Sequence, residues 1–234
     1  MRSLSTASKL LLLIFVLAAV VNLVANQTGA TALVIISKPL LMTSLVGFFW
    51  RERKGVGCEI WLLIGLVFSF LGDCFLLGNS QLFFLFGLGS FLVTQFFYTI
   101  AFRRQIRQHS ALSIAPLLLS VLPFLIYYVG VLSLLWATLP SDFRLPIVIY
   151  STVITAMAIA GTYLAIQTKN WLLIVGAILF VISDSCIAID KFTEIKLPVV
   201  RLLIMGTYIG AQLAIVWSQV RIAPLELTAT RTRV

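Results

Sequence analysis

Gly65-Leu-Val-Phe-Ser-Phe-Leu-Gly-Asp73-Cys-Phe-Leu-Leu77 and Gly176-Ala-Ile-Leu-Phe-Val-Ile-Ser-Asp184-Ser-Cys-Ile-Ala-Ile189 read as copies of one another, each with an aspartate deep in apolar sequence. An ionised carboxylate at a helix centre in hydrocarbon costs at least roughly 2.5 kcal/mol. Two of them at matched positions mark Asp73 and Asp184 as the first place to look for function.

The hydrocarbon setting follows from composition. With 61% hydrophobic residues, 11% charged residues and a mean hydropathy of +1.09, the chain holds more apolar side chain than one soluble domain of this length can bury. Apolar runs of near-bilayer length fall at about 9–26, 30–50, 58–79, 81–102, 111–131, 145–166, 170–190 and 198–220. The expected fold is an all-α integral membrane protein of eight transmembrane helices with short connections, forming a single membrane domain over 1–234. In a bacterium this places the chain in the cytoplasmic membrane.

A formal charge of +9 raises the question of acidic partners, and the distribution of the charges answers it. If the amino terminus is cytoplasmic, that side collects Arg2, Lys9, Arg51, Arg53, Lys54, Arg103, Arg104, Arg107, Lys169, Arg221, Arg231 and Arg233. The opposite side collects only Arg144, Lys191, Lys196 and Arg201, with Lys38 left within the membrane. Twelve against four is the positive-inside asymmetry and predicts that both termini are cytoplasmic. Basic residues scattered through short juxtamembrane loops, with no binding module beside them, argue against nucleic acid as a partner.

The aspartate segments belong to a wider repeat. Asp73 and Asp184 lie 111 residues apart, and Gly89-Ser-Phe-Leu-Val-Thr-Gln95 matches Gly206-Thr-Tyr-Ile-Gly-Ala-Gln212 at an offset of 117. Pro39 and Pro146 correspond at an offset of 107. The expected division is a first four-helix half over 1–102, a cytoplasmic loop over 103–110, a second half over 111–221 and a cytoplasmic tail over 222–234. An even number of helices per half makes the two repeats parallel, with a site expected between them. Arg2 and Lys9 before Leu10–Val21 also resemble a secretory signal peptide. The repeat predicts that this segment is retained, because the first helix is the counterpart of the fifth.

The 1.5 Å helical rise converts position into depth. Counted from the extracytoplasmic helix ends, Asp73 and Asp184 lie roughly 9 Å in and Lys38 roughly 12 Å in. All three are therefore expected at one level. Ser69 stands one turn before Asp73 on the same face, and Gly65 and Gly176 hold equivalent places two turns before their aspartates, where small residues let helices approach. Gln95 and Tyr98 on the fourth helix, and Tyr208 and Gln212 on the eighth, are expected to form a polar lining beneath the charges. The plainer readings are helix-locking ion pairs for the aspartates and Lys38, and packing for the four amide and phenol residues. Asp190, Lys191, Glu194 and Lys196 read as a solvated loop, Arg201 as a helix-end anchor, and the five tryptophans as interfacial.

Several chemistries drop out. The single histidine, His109, falls in the expected cytoplasmic loop, so no histidine metal site or serine–histidine pair assembles within the membrane. Cys58, Cys74 and Cys186 show no CxxC spacing, and no glycine loop cradles phosphate. No metal and no cofactor is expected. Carboxylate chemistry remains, with two acids beside one cation able to take different protonation roles.

At these residues the chain resembles a known family. Ser37-Lys38-Pro39-Leu40-Leu41-Met42, the segment Phe68-Ser69-x-x-Gly72-Asp73-x-x-Leu76-Leu77, the Gln95-x-x-Tyr98 pair and Ser183-Asp184 are similar to the motifs of the YhhN-like membrane lysoplasmalogenases. The similarity covers nearly the whole chain, including the eight-helix layout. It implies hydrolysis of the vinyl ether bond of a lysoplasmalogen, a lysophospholipid, to a fatty aldehyde and a glycerophospho-base. The tyrosine pair of that family more often begins with histidine, where this chain has Gln95.

Such a hydrolysis needs an acid that protonates the terminal alkene carbon, a base that activates water, and negative charge near the oxocarbenium ion. Asp73 and Asp184 can supply all three, with the division of roles open. Lys38 then holds one aspartate ionised or binds the lipid phosphate, and Tyr98 and Gln95 orient water or substrate. The competing class is a transporter or lipid-binding membrane protein whose acidic pair carries protons or a cation. A third is an assembly protein in which the aspartates only lock helices.

Overall fold

A computed structural model of the chain describes residues 4–53, 60–109, 113–195 and 199–221. Within them lie eight helices: α1 Thr6–Thr28, α2 Thr31–Arg53, α3 Ile60–Phe75, α4 Gln81–His109, α5 Ile114–Trp136, α6 Ser141–Thr168, α7 Trp171–Phe192 and α8 Val200–Arg221. Seven are long and apolar enough to cross a bilayer, whereas α3 has 16 residues. The chain is thus a multi-pass integral membrane protein.

Local chemistry explains the helix limits. Ser5 caps α1 by accepting from the Ser8 amide at 3.1 Å. Gly29, at φ 72°, closes α1 in the left-handed conformation that other residues adopt only at a cost, which permits the tight link to α2. Pro39, Pro123 and Pro146 sit inside α2, α5 and α6, as neighbouring helices and hydroxyl side chains allow in membranes.

Three of the boundaries that differ from the sequence reading concern residues named there. α3 ends at Phe75 rather than near residue 79, because Gly78-Asn79-Ser80 favours a turn, closed by Leu77 N–H to the Cys74 carbonyl. Asp73 consequently lies in the last turn of its helix, whereas Asp184 lies about two turns before the end of α7. α4 continues to His109 through residues read as loop, since Arg103, Arg104 and Gln105 are good helix formers. Asp190 and Lys191 belong to α7 rather than to a loop. Lys54, Cys58, Lys196 and the tail 222–234 lie outside the described residues.

Three sequence-adjacent pairs, α1 with α2, α3 with α4 and α7 with α8, pack along their lengths. The α4–α6 contact joins the front four helices to the back four, and α8 closes against α1 and α2. The shared core includes Leu45 and Phe48 of α2, Leu66 of α3, Phe102 of α4, Met157 of α6, Phe180 of α7 and Ile215 of α8, all buried. α5 is peripheral, with only Ser120, Phe124 and Leu135 of its residues buried, and Leu119 and Ile126 project outward.

Two close approaches use glycine for space. A Cβ on Gly65 would stand 2.6 Å from the Tyr98 ring and 3.2 Å from the Thr94 carbonyl. One on Gly176 would stand 2.8 Å from Ile215 and 3.2 Å from the Ala211 carbonyl. Each glycine thus lets its helix lie against the backbone of the next one.

Candidate active site

The polar residues singled out in the sequence fall into two groups. In the first, Lys38 Nζ lies 3.6 Å from Asp73 Oδ1, with both side chains buried. Tyr208 donates its hydroxyl to Asp73 Oδ2 at 2.7 Å. Because that proton is committed, the Ser69 hydroxyl donates to Tyr208 Oη, at 3.1 Å. Gln212 Nε2 donates to Ser69 Oγ at 2.6 Å, and Tyr98 donates to Gln212 Oε1 at 2.8 Å.

Lys38, Asp73, Tyr208, Ser69, Gln212 and Tyr98 therefore form one continuous chain across α2, α3, α4 and α8. Every donor points toward the Asp73 carboxylate, so each bond polarises the next. The cost of burying that charge is met by Lys38 and Tyr208 together.

The second group surrounds Asp184. Tyr150, on α6, donates its hydroxyl to Asp184 Oδ2. Ser183, the preceding residue, donates to the Ile204 carbonyl at 3.0 Å and ties α7 to α8. Gln95 is fully buried beside Tyr150 and Asp184, yet neither amide atom is in hydrogen-bond geometry with a described protein atom.

The two aspartates have unequal surroundings. Asp184 is half-buried and lines a narrow apolar groove between α4, α5, α6 and α7 that is partly open to the exterior. Leu88, Phe91, Val131, Ile147, Ile154 and Val181 form much of its apolar wall. An apolar lining with a few convergent polar groups has the character of a small-molecule site. Asp73, 2% exposed, stands behind this wall and does not line it. Phe91 separates the groups: its ring lines the groove and meets Tyr208 edge-on at 5.8 Å.

The sequence reading did not include Tyr150. At the offset relating Pro39 to Pro146 its counterpart is Thr43, so the repeat carried no signal for it. A phenol four residues after Pro146 in an otherwise apolar run was the only trace. Lys38 was expected to stand beside either aspartate, and it stands beside Asp73.

The YhhN family model matches residues 33–219, a span that holds every residue named in both groups. The chain belongs to the YhhN family. Among its relatives, lysoplasmalogenase TMEM86A of Homo sapiens is 37% identical over 166 residues, covering 68% of this chain and 65% of the relative. The Bos taurus TMEM86A lysoplasmalogenase is 35% identical with the same coverage. Lysoplasmalogenase TMEM86B of Rattus norvegicus is 32% identical over 197 residues, covering 84% of this chain and 76% of the relative. The chain thus spans 65% of the length of the two TMEM86A relatives. No solved structure matches the chain.

Proposed function

We propose that this YhhN-family chain hydrolyses the vinyl ether bond of a lysoplasmalogen, releasing a fatty aldehyde and a glycerophospho-base. The observation that carries the reading is the Asp184–Tyr150 pair set in the wall of an apolar groove, in a chain whose relatives are lysoplasmalogenases. The groove offers a lipid chain the apolar surface it needs, and it offers the reacting carbons one carboxyl.

In the proposed sequence, Asp184 in its acid form gives its proton to the alkene carbon farther from the ether oxygen. The electron pair of the double bond forms the new C–H bond, and the adjacent carbon becomes an oxocarbenium ion. The carboxylate left behind faces that cation and stabilises it electrostatically. Water then adds to the cationic carbon and returns a proton to Asp184, which completes the acid–base cycle. The hemiacetal collapses by moving its hydroxyl proton to the ether oxygen, and aldehyde and alcohol separate. Tyr150 holds the Asp184 carboxyl toward the groove, and Gln95, buried beside both, orients the attacking water.

Asp73 acts from behind the wall. Pinned by Lys38 and Tyr208, it supplies a fixed negative charge near the developing cation, and Ser69, Gln212 and Tyr98 hold Tyr208 in place. Purified protein given a lysoplasmalogen should release aldehyde, and Asp184→Asn should abolish release while leaving the protein folded. Full activity in folded Asp184→Asn would sink the assignment.

The same reading includes two parallel four-helix halves with both termini cytoplasmic. The glycine contacts support it, because Gly65 against Thr94 and Tyr98 becomes Gly176 against Ala211 and Ile215 at the offsets 111 and 117. Cysteine labelling of residues 2 and 231 from each side of sealed vesicles tests the orientation. Labelling of both from the cytoplasmic side only is the expected result.

A further inference from the structure

The groove has a charged end as well as an acidic centre. Lys191 and Arg144 lie at the same end of the bundle, where α7 finishes and α6 begins, and both are exposed. Lys191 Nζ stands 5.1 Å from the centroid of Phe84, a groove-wall ring. The Arg144 guanidinium stands 5.2 Å from the centroid of Trp136, the residue next to the groove-lining Leu135. Phe84, Phe143 and Phe192 pack around this end with centroids 5.1 to 6.3 Å apart, and among the described residues neither cation is in a salt bridge.

Helical spacing ties the cations to the reacting centre. Lys191 follows Asp184 by seven residues, which puts it on the same face of α7 roughly 10 Å farther along. Arg144 precedes the groove-lining Ser151 by the same seven residues on α6, with Ile147 of the groove wall between them. Asp190 falls on a different face of α7, and Glu194 lies beyond the end of that helix.

We propose that Lys191 and Arg144 bind the phosphate of the lysophospholipid, fixing the substrate so that its glycerol spans to Asp184 and its hydrocarbon chain runs on toward Val181 and Ile154. This rests on the function proposed above and adds the headgroup subsite and the direction of binding. The dimensions agree: about seven bonds of ~1.5 Å separate the protonated alkene carbon from phosphorus, spanning roughly 9 Å when extended. Lys38, committed to Asp73, is not the phosphate ligand. Arg and Lys together suit a phosphate, one by its planar fork and one as a mobile point charge.

The test is binding of a 1-O-alkyl lysophospholipid, which keeps phosphate, glycerol and chain but has no vinyl bond, against the matching 1-O-alkylglycerol. Both are titrated by calorimetry into detergent-solubilised full-length protein. The wild type should bind the phosphate ligand at least about tenfold more tightly. Lys191→Glu and Arg144→Glu should each remove most of that preference, with alkylglycerol binding unchanged. Lys191→Gln should give an intermediate value. Equal binding of the two ligands to the wild type, or equal weakening of both in the variants, would overturn the subsite. Binding is read without turnover, so a protein that binds in this pattern but releases no aldehyde refutes the hydrolase reading and not the subsite.

Discussion

Replacing Lys38 by Met tests how Asp73 is kept inside the membrane. Met preserves the length and apolar stem of lysine while removing the charge, and Asp73, 2% exposed, is left with Tyr208 as its remaining polar partner. Removing one partner of a buried pair costs about 3–5 kcal/mol. The N···O separation of 3.6 Å exceeds the usual length of a charge-assisted hydrogen bond, so the pair is held by Coulomb attraction and the loss belongs at the lower end, about 3 kcal/mol. Asp73→Asn, which strands Lys38 instead, should cost a similar amount. The double variant strands no charge and should lose no more than either single one, so the coupling between the two changes should be at least about 3 kcal/mol. Unfolding free energies from SDS titration out of a mild detergent, read by far-ultraviolet circular dichroism, give all corners of the cycle. Additive losses with no coupling would refute the ion pair as the means of burying Asp73.

Further outcomes follow from the same geometry. Tyr150→Phe removes the hydroxyl that holds Asp184, and single-turnover kinetics should show kcat lowered about 10- to 100-fold with little change in KM. Gly176→Ala should destabilise by about 1–3 kcal/mol, because its Cβ meets Ile215 at 2.8 Å and backbone at 3.0 Å, where nothing can yield cheaply. Gly206→Ala on α8 meets nothing within 4 Å and should stabilise by about 0.5–1 kcal/mol in the same unfolding assay. Val181→Phe fills the groove beyond Asp184 and should shift preference toward shorter alkenyl chains, measured as kcat/KM across a chain-length series.

Much of the architecture was legible because membranes penalise polar groups so heavily. Apolar runs separated by turn residues reported the helices, and Asp73, Asp184 and Lys38 stood out as charges that hydrocarbon does not tolerate without reason. Ser69, Tyr98, Tyr208 and Gln212 were visible by the same logic, as polar residues one turn apart on apolar helices. The helix ends were less legible, since α3 stops where a Gly-Asn-Ser turn overrides continuing apolar sequence, and α4 continues through arginines that belong equally to a helix or a loop.

By itself the sequence determined that this chain lies in the membrane, and which polar residues must find partners there, because burial cost acts on each residue wherever it stands. Only the tertiary structure decided which partner each one meets. Lys38 could have faced either aspartate, Tyr150 carried no marked pattern, and Lys191 read as part of a solvated loop. The groove that sets a half-buried Asp184 apart from an enclosed Asp73 comes from the crossing of four helices, with Phe91 lining the groove and packing against Tyr208. Cavities and cross-helix contacts arise from packing between residues remote in sequence, which periodicity along a single helix does not encode.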